Sequence, residues 1–147
     1  TLGSTSQLSA SLEPIMQITG RCHCGAISFS AEVDASQVVV CHCTDCQSMS
    51  GAPFRALAAA PIDQFRLLGT PKTYIKVAES GASRAQVFCS DCGTPLYATA
   101  TENATQVMIR LGCVDQRAQL KPVAQFWTHS ALPWLGDLPS IPGSPKQ

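Results

Sequence analysis

No run of apolar residues in the chain approaches the roughly 18 that a membrane-spanning helix needs. Charge is sparse as well, at 14% of residues, and balanced, with ten lysines and arginines against ten aspartates and glutamates. So little charge, with no excess of one sign, argues against a disordered or acidic solvating chain. The absence of a basic run argues equally against a nucleic-acid or membrane-surface binder, which depends on a positive patch. The first twelve residues lack a basic stretch followed by an apolar one and do not read as a secretory signal. The expectation is a cytoplasmic protein with neither nucleic acid nor membrane as its partner, of unspecified oligomeric state.

What the chain does have is eight cysteines in 147 residues. A hydrophobic fraction of 45% at this length builds one core without staples, so the cysteines exceed the needs of folding. Residues 1–15 are polar, low in complexity and close on Glu13-Pro14, and read as an N-terminal extension or cloning remnant. The domain proper is expected over residues 16–140, with 141–147 as a C-terminal tail.

Period-2 alternation of Ile27, Phe29, Ala31 and Val33 with Ser28, Ser30 and Glu32 predicts a half-buried strand. It pairs with residues 17–20 as a hairpin around Arg21-Cys-His-Cys-Gly25. Further strands are expected over residues 37–40, 54–60, 73–77, 84–89, 96–99 and 106–111, separated by proline, glycine and asparagine turns. One short helix is expected at Thr44–Ser50, capped by Thr44 or Asp45 and ended by Gly51. From Pro133 onward repeated prolines argue against regular structure. The fold class is therefore mostly β, short antiparallel strands with one short helix.

The chemistry lies in cysteine spacing. Cys22 and Cys24 form C-x-C before Gly25; Cys41, Cys43 and Cys46 form C-x-C-x-x-C; Cys89 and Cys92 form C-x-x-C before Gly93; Cys113 stands alone. Residues i and i+2 of a strand share a face, so a C-x-C pair aims two sulfurs at one ion. A C-x-x-C turn does the same, and the glycine after it takes the positive φ that folds backbone round a metal. Two pairs make a four-thiolate set, Cys22, Cys24, Cys89 and Cys92, whose default role is structural zinc. Cys41, Cys43 and Cys46 form a three-ligand set, which leaves a zinc position open as catalytic sites do. It lies at the start of the expected helix, where backbone amides favour anions.

Other readings compete. Disulfides fit an even cysteine count, but C-x-C neighbours bridge poorly and no signal peptide is visible. Iron–sulfur ligation fits the thiolates but not the spacings. A closed second site would recruit Cys113, His42, His23 or His129, although Cys113 in a strand-like run reads as a buried apolar thiol. A nucleic-acid zinc ribbon would need a far shorter interval between its C-x-x-C pairs than the one separating Cys46 from Cys89.

Three stretches together resemble one family: Gly20-Arg-Cys-His-Cys-Gly25, Cys41-His-Cys-Thr-Asp-Cys-Gln47 with Ser50-Gly51, and Phe88-Cys-Ser-Asp-Cys-Gly-Thr-Pro95. The chain is similar to the glutathione-dependent formaldehyde-activating enzymes, whose domain also occurs in centromere protein V, from about Met16 to Pro139. The resemblance implies a mostly-β, zinc-bearing "β-tent" fold. It implies two zinc ions per chain: a structural one on Cys22, Cys24, Cys89 and Cys92, and a catalytic one on Cys41, Cys43 and Cys46. It carries no role to Cys113. Where the family often has histidine ahead of an aromatic pair, this chain has Gln125-Phe126-Trp127, and His129 stands elsewhere.

The implied activity is that of a carbon–sulfur lyase, the reversible addition of glutathione or another thiol to formaldehyde or a small carbonyl. Zinc would deprotonate the thiol, so no protein base is required. Filling both sites would take the formal charge from zero to about −3, so an anionic thiol needs arginines. Arg55 is the substrate-binding candidate, Arg21 and Arg84 flank other motif cysteines, and Trp127 and Trp134 could cover the pocket. The alternative is a non-catalytic zinc scaffold that binds a protein partner.

Overall fold

The structure is a computed structural model that describes residues 14–147. The expected N-terminal extension therefore lies almost wholly outside the described residues. Strands β1 (Ile15–Arg21), β2 (Ser28–Asp34) and β5 (Phe65–Leu68) make a three-stranded antiparallel sheet. The larger sheet has seven strands in the order β10, β3, β4, β9, β8, β7, β6. These are β3 (Val39–Cys41), β4 (Arg55–Pro61), β6 (Lys72–Val77), β7 (Ser83–Phe88), β8 (Pro95–Ala100), β9 (Gln106–Arg110) and β10 (Ala124–Phe126). Every pairing is antiparallel except that of β10 with β3. The α-helix among the described residues, α1, is Thr44–Ser50, between β3 and β4.

Register divides the larger sheet into two unlike faces. Ala58 pairs with Ile109 and Ala60 with Val107, while Tyr97 pairs with both Ile109 and Val87. This apolar face packs against the small sheet, where Ile18, Phe29, Ala31 and Val33 are buried. Phe65 joins the layers, with its ring 5.6 Å from Phe29 and 4.9 Å from Tyr97. On the opposite face, pairing sets Cys41 beside Arg55, Leu57 beside Arg110, and Ala98 beside Gln86 and Met108. Strand pleating then puts all of these side chains on one surface.

The alternation read over Ile27–Val33 appears as alternating burial in β2. Two strands were not expected: β5, too short for a periodic signal, and β10, three residues long and held by parallel pairing to β3. The segment after Pro133 is also more ordered than its prolines predict, with a 3-10 helix at Leu135–Ser140 that contains Pro139. A proline's fixed φ suits a 3-10 turn.

Candidate metal centres and their cavity

Cys22 and Cys24 lie in the β1–β2 turn and Cys89 and Cys92 in the β7–β8 turn, and the four Sγ atoms lie within 4.8 Å of one another. Both turns close on glycine in the left-handed region, Gly25 at φ 84° and Gly93 at φ 80°, as the spacing predicts. Backbone amides point at the sulfurs: Ile27 N donates to Cys22 Sγ at 3.3 Å and Asp91 N to Cys89 Sγ at 3.4 Å. Thr94 ties the turns together, its hydroxyl 3.2 Å from Cys92 Sγ and accepting from His23 N at 3.0 Å.

Charge on this cluster is unevenly supported. The Thr94 hydroxyl and amide bring Cys92 down to about 5. Burial raises Cys22, but the Ile27 amide and the Cys24 and Cys89 thiols outweigh it and hold it below the ordinary thiol value. The Ala26 amide lowers Cys24, yet the surrounding sulfurs and desolvation push it up to about 12. Four crowded thiols titrate as one group, in which charge on one sulfur raises its neighbours.

The second cluster joins the end of β3 to the start of α1, with the Sγ atoms of Cys41, Cys43 and Cys46 again within 4.8 Å of one another. The helix is where the spacing predicts, but its cap is Cys43 rather than Thr44 or Asp45. Cys43 Sγ accepts from Cys46 N at 3.3 Å. Burial raises Cys43, but that amide and the Cys46 and Cys41 thiols hold it below the ordinary value. Partial burial and the same two sulfurs push the half-buried Cys46 up to about 12.

This cluster opens on a cavity of about 300 Å³ on the polar face of the larger sheet. Cys41, Cys46 and Met49 line it beside Arg55, Arg84, Lys76 and Arg110, with Phe126 and Trp127 at its margin. Gln86 accepts from both buried arginines, from Arg110 Nη2 at 2.7 Å and Arg55 Nη1 at 3.4 Å. Burial lowers Arg55 while the three thiols oppose it. Burial and the Arg55 charge bring Arg110 down to about 9, with Arg84 adding to the effect and Cys46 opposing it. Asp45 is held by Lys76 at 3.0 Å.

Of the residues flagged in the sequence, Arg55, Arg84 and Trp127 reach this cavity, while Arg21 and Trp134 are not in its lining. Cys113 lies apart, donating to the Arg110 carbonyl at 3.1 Å. His42 is buried against Phe54, its Nε2 2.7 Å from Gln125 Oε1. Among the described residues none of Cys113, His23, His42 and His129 joins either thiol cluster. Arg110 and Gln86 were missed, because neither lies near a cysteine motif and only the sheet register brings them to the site.

The thiols suit zinc rather than disulfides. All eight cysteines are free, and the Cys22–Cys24 and Cys24–Cys89 sulfurs are 3.6 and 3.7 Å apart. A tetrahedral ion with Zn–S near 2.3 Å separates its ligand sulfurs by about 3.8 Å, whereas a disulfide needs about 2.05 Å.

Fold and site together define a class: a mostly-β domain with one four-thiol and one three-thiol cluster, each of which could hold a metal ion. The profile of the glutathione-dependent formaldehyde-activating enzymes matches residues 17–130, and the chain belongs to that family. A Schizosaccharomyces pombe protein named as an uncharacterized lyase is 29% identical over 90 residues, 61% of this chain. The match spans 63% of that protein's length, so the chain covers less than two thirds of it. A crystal structure of a Rhodobacter sphaeroides protein shares the fold at 18% identity, with TM-score 0.57 over 73% of this chain and 98% of its own.

Proposed function

We propose that the chain is a carbon–sulfur lyase that adds a thiol, glutathione or another, reversibly to formaldehyde or a small carbonyl. The observation that carries this reading is the contrast between the clusters. Four sulfurs gather at the seam between two turns, whereas three gather at the mouth of a cavity lined with cations. In this reading Cys22, Cys24, Cys89 and Cys92 hold a structural zinc, and Cys41, Cys43 and Cys46 hold a catalytic one. A zinc ion held by those three thiolates would supply Lewis acidity that lowers the pKa of a thiol presented to it.

The chain's own residues do the rest. Arg55 and Arg84 place positive charge beside the cluster for the anionic groups of the substrates, while Met49, Leu57 and Phe126 form the apolar wall. The thiol sulfur bonds to the carbonyl carbon, and the π pair moves to oxygen, which takes the proton the thiol gave up. The reverse breaks the C–S bond. No histidine lines the cavity among the described residues, and Asp45 is occupied by Lys76, which supports a reaction without a protein base. The boundaries at residues 16–140 and the cytoplasmic setting belong to the same reading, since free thiols suit a reducing compartment.

The test is the rate of adduct formation between glutathione and formaldehyde, followed by NMR. Wild type is expected to accelerate it, and a folded Cys46→Ser variant to fall to the uncatalysed rate. No acceleration by wild type, or a wild-type rate in the variant, would contradict the reading.

A further inference from the structure

The cavity floor carries more positive charge than a neutral aldehyde calls for. Arg55 and Arg110 are only 5% and 8% exposed, and neither forms a salt bridge among the described residues. Both donate to the same oxygen, Gln86 Oε1, and Arg55 Nε is buried with no partner. The one carboxylate in the lining, Asp45, is committed to Lys76. Arg84 adds a further cation. Guanidinium keeps its proton in proteins, so three such cations are gathered in this cavity with their hydrogen-bonding capacity only partly used. The adjoining thiols offset part of this positive charge, and because buried charge without enough counter-charge is costly, a ligand that supplies a carboxylate relieves the remainder.

Register fixes where the anion must sit. Arg55 is the direct cross-strand partner of Cys41, and Arg110 is the partner of Leu57, two residues along β4 on the same face. The guanidiniums therefore lie beside the thiol cluster, close to any reacting carbon. The carboxylates of a peptide thiol sit several bonds from its sulfur and suit Arg84, which is less buried than Arg55 and Arg110.

We infer that Arg55 and Arg110, with Gln86 between them, form a carboxylate subsite, and that the carbonyl substrate is an oxo acid whose carboxylate adjoins the reacting carbon. This rests on the lyase reading above. Two guanidiniums meeting at one point match the two oxygens of a carboxylate. With glyoxylate as the probe, the thiol sulfur bonds to the aldehyde carbon and the π pair moves to the aldehyde oxygen. That oxygen takes the thiol's proton, and the carboxylate is unchanged.

The experiment compares glyoxylate with uncharged methyl glyoxylate, using glutathione or carboxylate-free cysteamine as the thiol. Wild type is expected to favour glyoxylate by about tenfold or more in kcat/KM, in line with a charge-assisted pair. Arg110→Met is expected to erase that ratio while keeping the wild-type preference between the two thiols. Gln86→Leu, which removes the shared acceptor without burying a new charge, is expected to shrink the ratio should Arg110→Met fail to fold. Loss of the thiol preference instead, with the glyoxylate preference intact, would assign the arginines to the thiol and overturn the inference. Wild type that turns over formaldehyde but shows no glyoxylate preference overturns this inference alone; wild type that accelerates no carbonyl overturns it together with the lyase reading.

Discussion

Cys43 is both a member of a thiol cluster and the cap of the helix that carries another member. Oxygen side chains dominate helix caps, so the sequence points to Thr44 or Asp45; the Cys43 sulfur accepting from the Cys46 amide does the same work. Thr94 has a comparable double part, linking Cys92 Sγ to the opposite turn through His23 N. Thr94→Val is expected to weaken zinc binding at the four-thiol cluster by about 10–100-fold in chelator competition, as loss of an outer partner does. Unchanged competition would contradict that role. Asp34 makes a separate, pH-dependent contribution. Its carboxylate accepts from the Ser36 amide and hydroxyl and from Gln37, and the Ser36 contacts hold it below the ordinary aspartate range. A lowered folded-state pKa adds stability above the unfolded-state value and loses it as pH falls through the folded one. Asp34→Ala is therefore expected to melt below wild type at neutral pH, with the gap closing in acid; a gap independent of pH would refute this. Arg55 could be named in advance because it follows the Gly51 signal closely, but Arg110 and Gln86 could not. They belong to β9 and β7, and no local pattern says which residues of distant strands will face each other.

Among the elements, α1 was the most legible, since Gly51 marks its stop and a polar pair at Thr44 and Asp45 marks its start, although the cap itself falls on Cys43. Gly51 adopts φ 64° with open space around its α-carbon, so Gly51→Ala meets only a conformational cost, expected to be about 1 kcal/mol in denaturant unfolding. Gly20 differs: a β-carbon there would overlap the Phe29 ring and the Cys113 carbonyl. Gly20→Ala is expected to cost more, in the range of about 1–3 kcal/mol for overpacking. A Gly51 variant less stable than the Gly20 variant would reverse this ranking. Strand β2 was legible because polar and apolar residues alternate along it. The two faces of β4 were not, because Ala56, Ala58, Ala59 and Ala60 give no polar contrast between the core side and the cavity side. Strand β10 was invisible for another reason: three residues held by a parallel neighbour have no period of their own.

Across the whole molecule, the two clusters stand in different mechanical positions. The four-thiol set joins the β1–β2 turn of the small sheet to the β7–β8 turn of the large one, so it fastens the layers together. The three-thiol set lies within one sheet and its adjoining helix. Spacing revealed how the cysteines group but could not reveal that one group spans the seam between sheets, which depends on the topology. A metal bound at the seam would contribute folding free energy, whereas one at the cavity mouth would add to a scaffold already formed. The most direct test is zinc content with thermal unfolding in wild type, Cys43→Ser and Cys89→Ser. Wild type is expected to hold about two zinc ions, Cys43→Ser about one with its fold intact, and Cys89→Ser to lose the fold. A Cys43→Ser variant that unfolds as completely as Cys89→Ser, or that keeps the wild-type zinc content, would contradict the division of labour between the clusters.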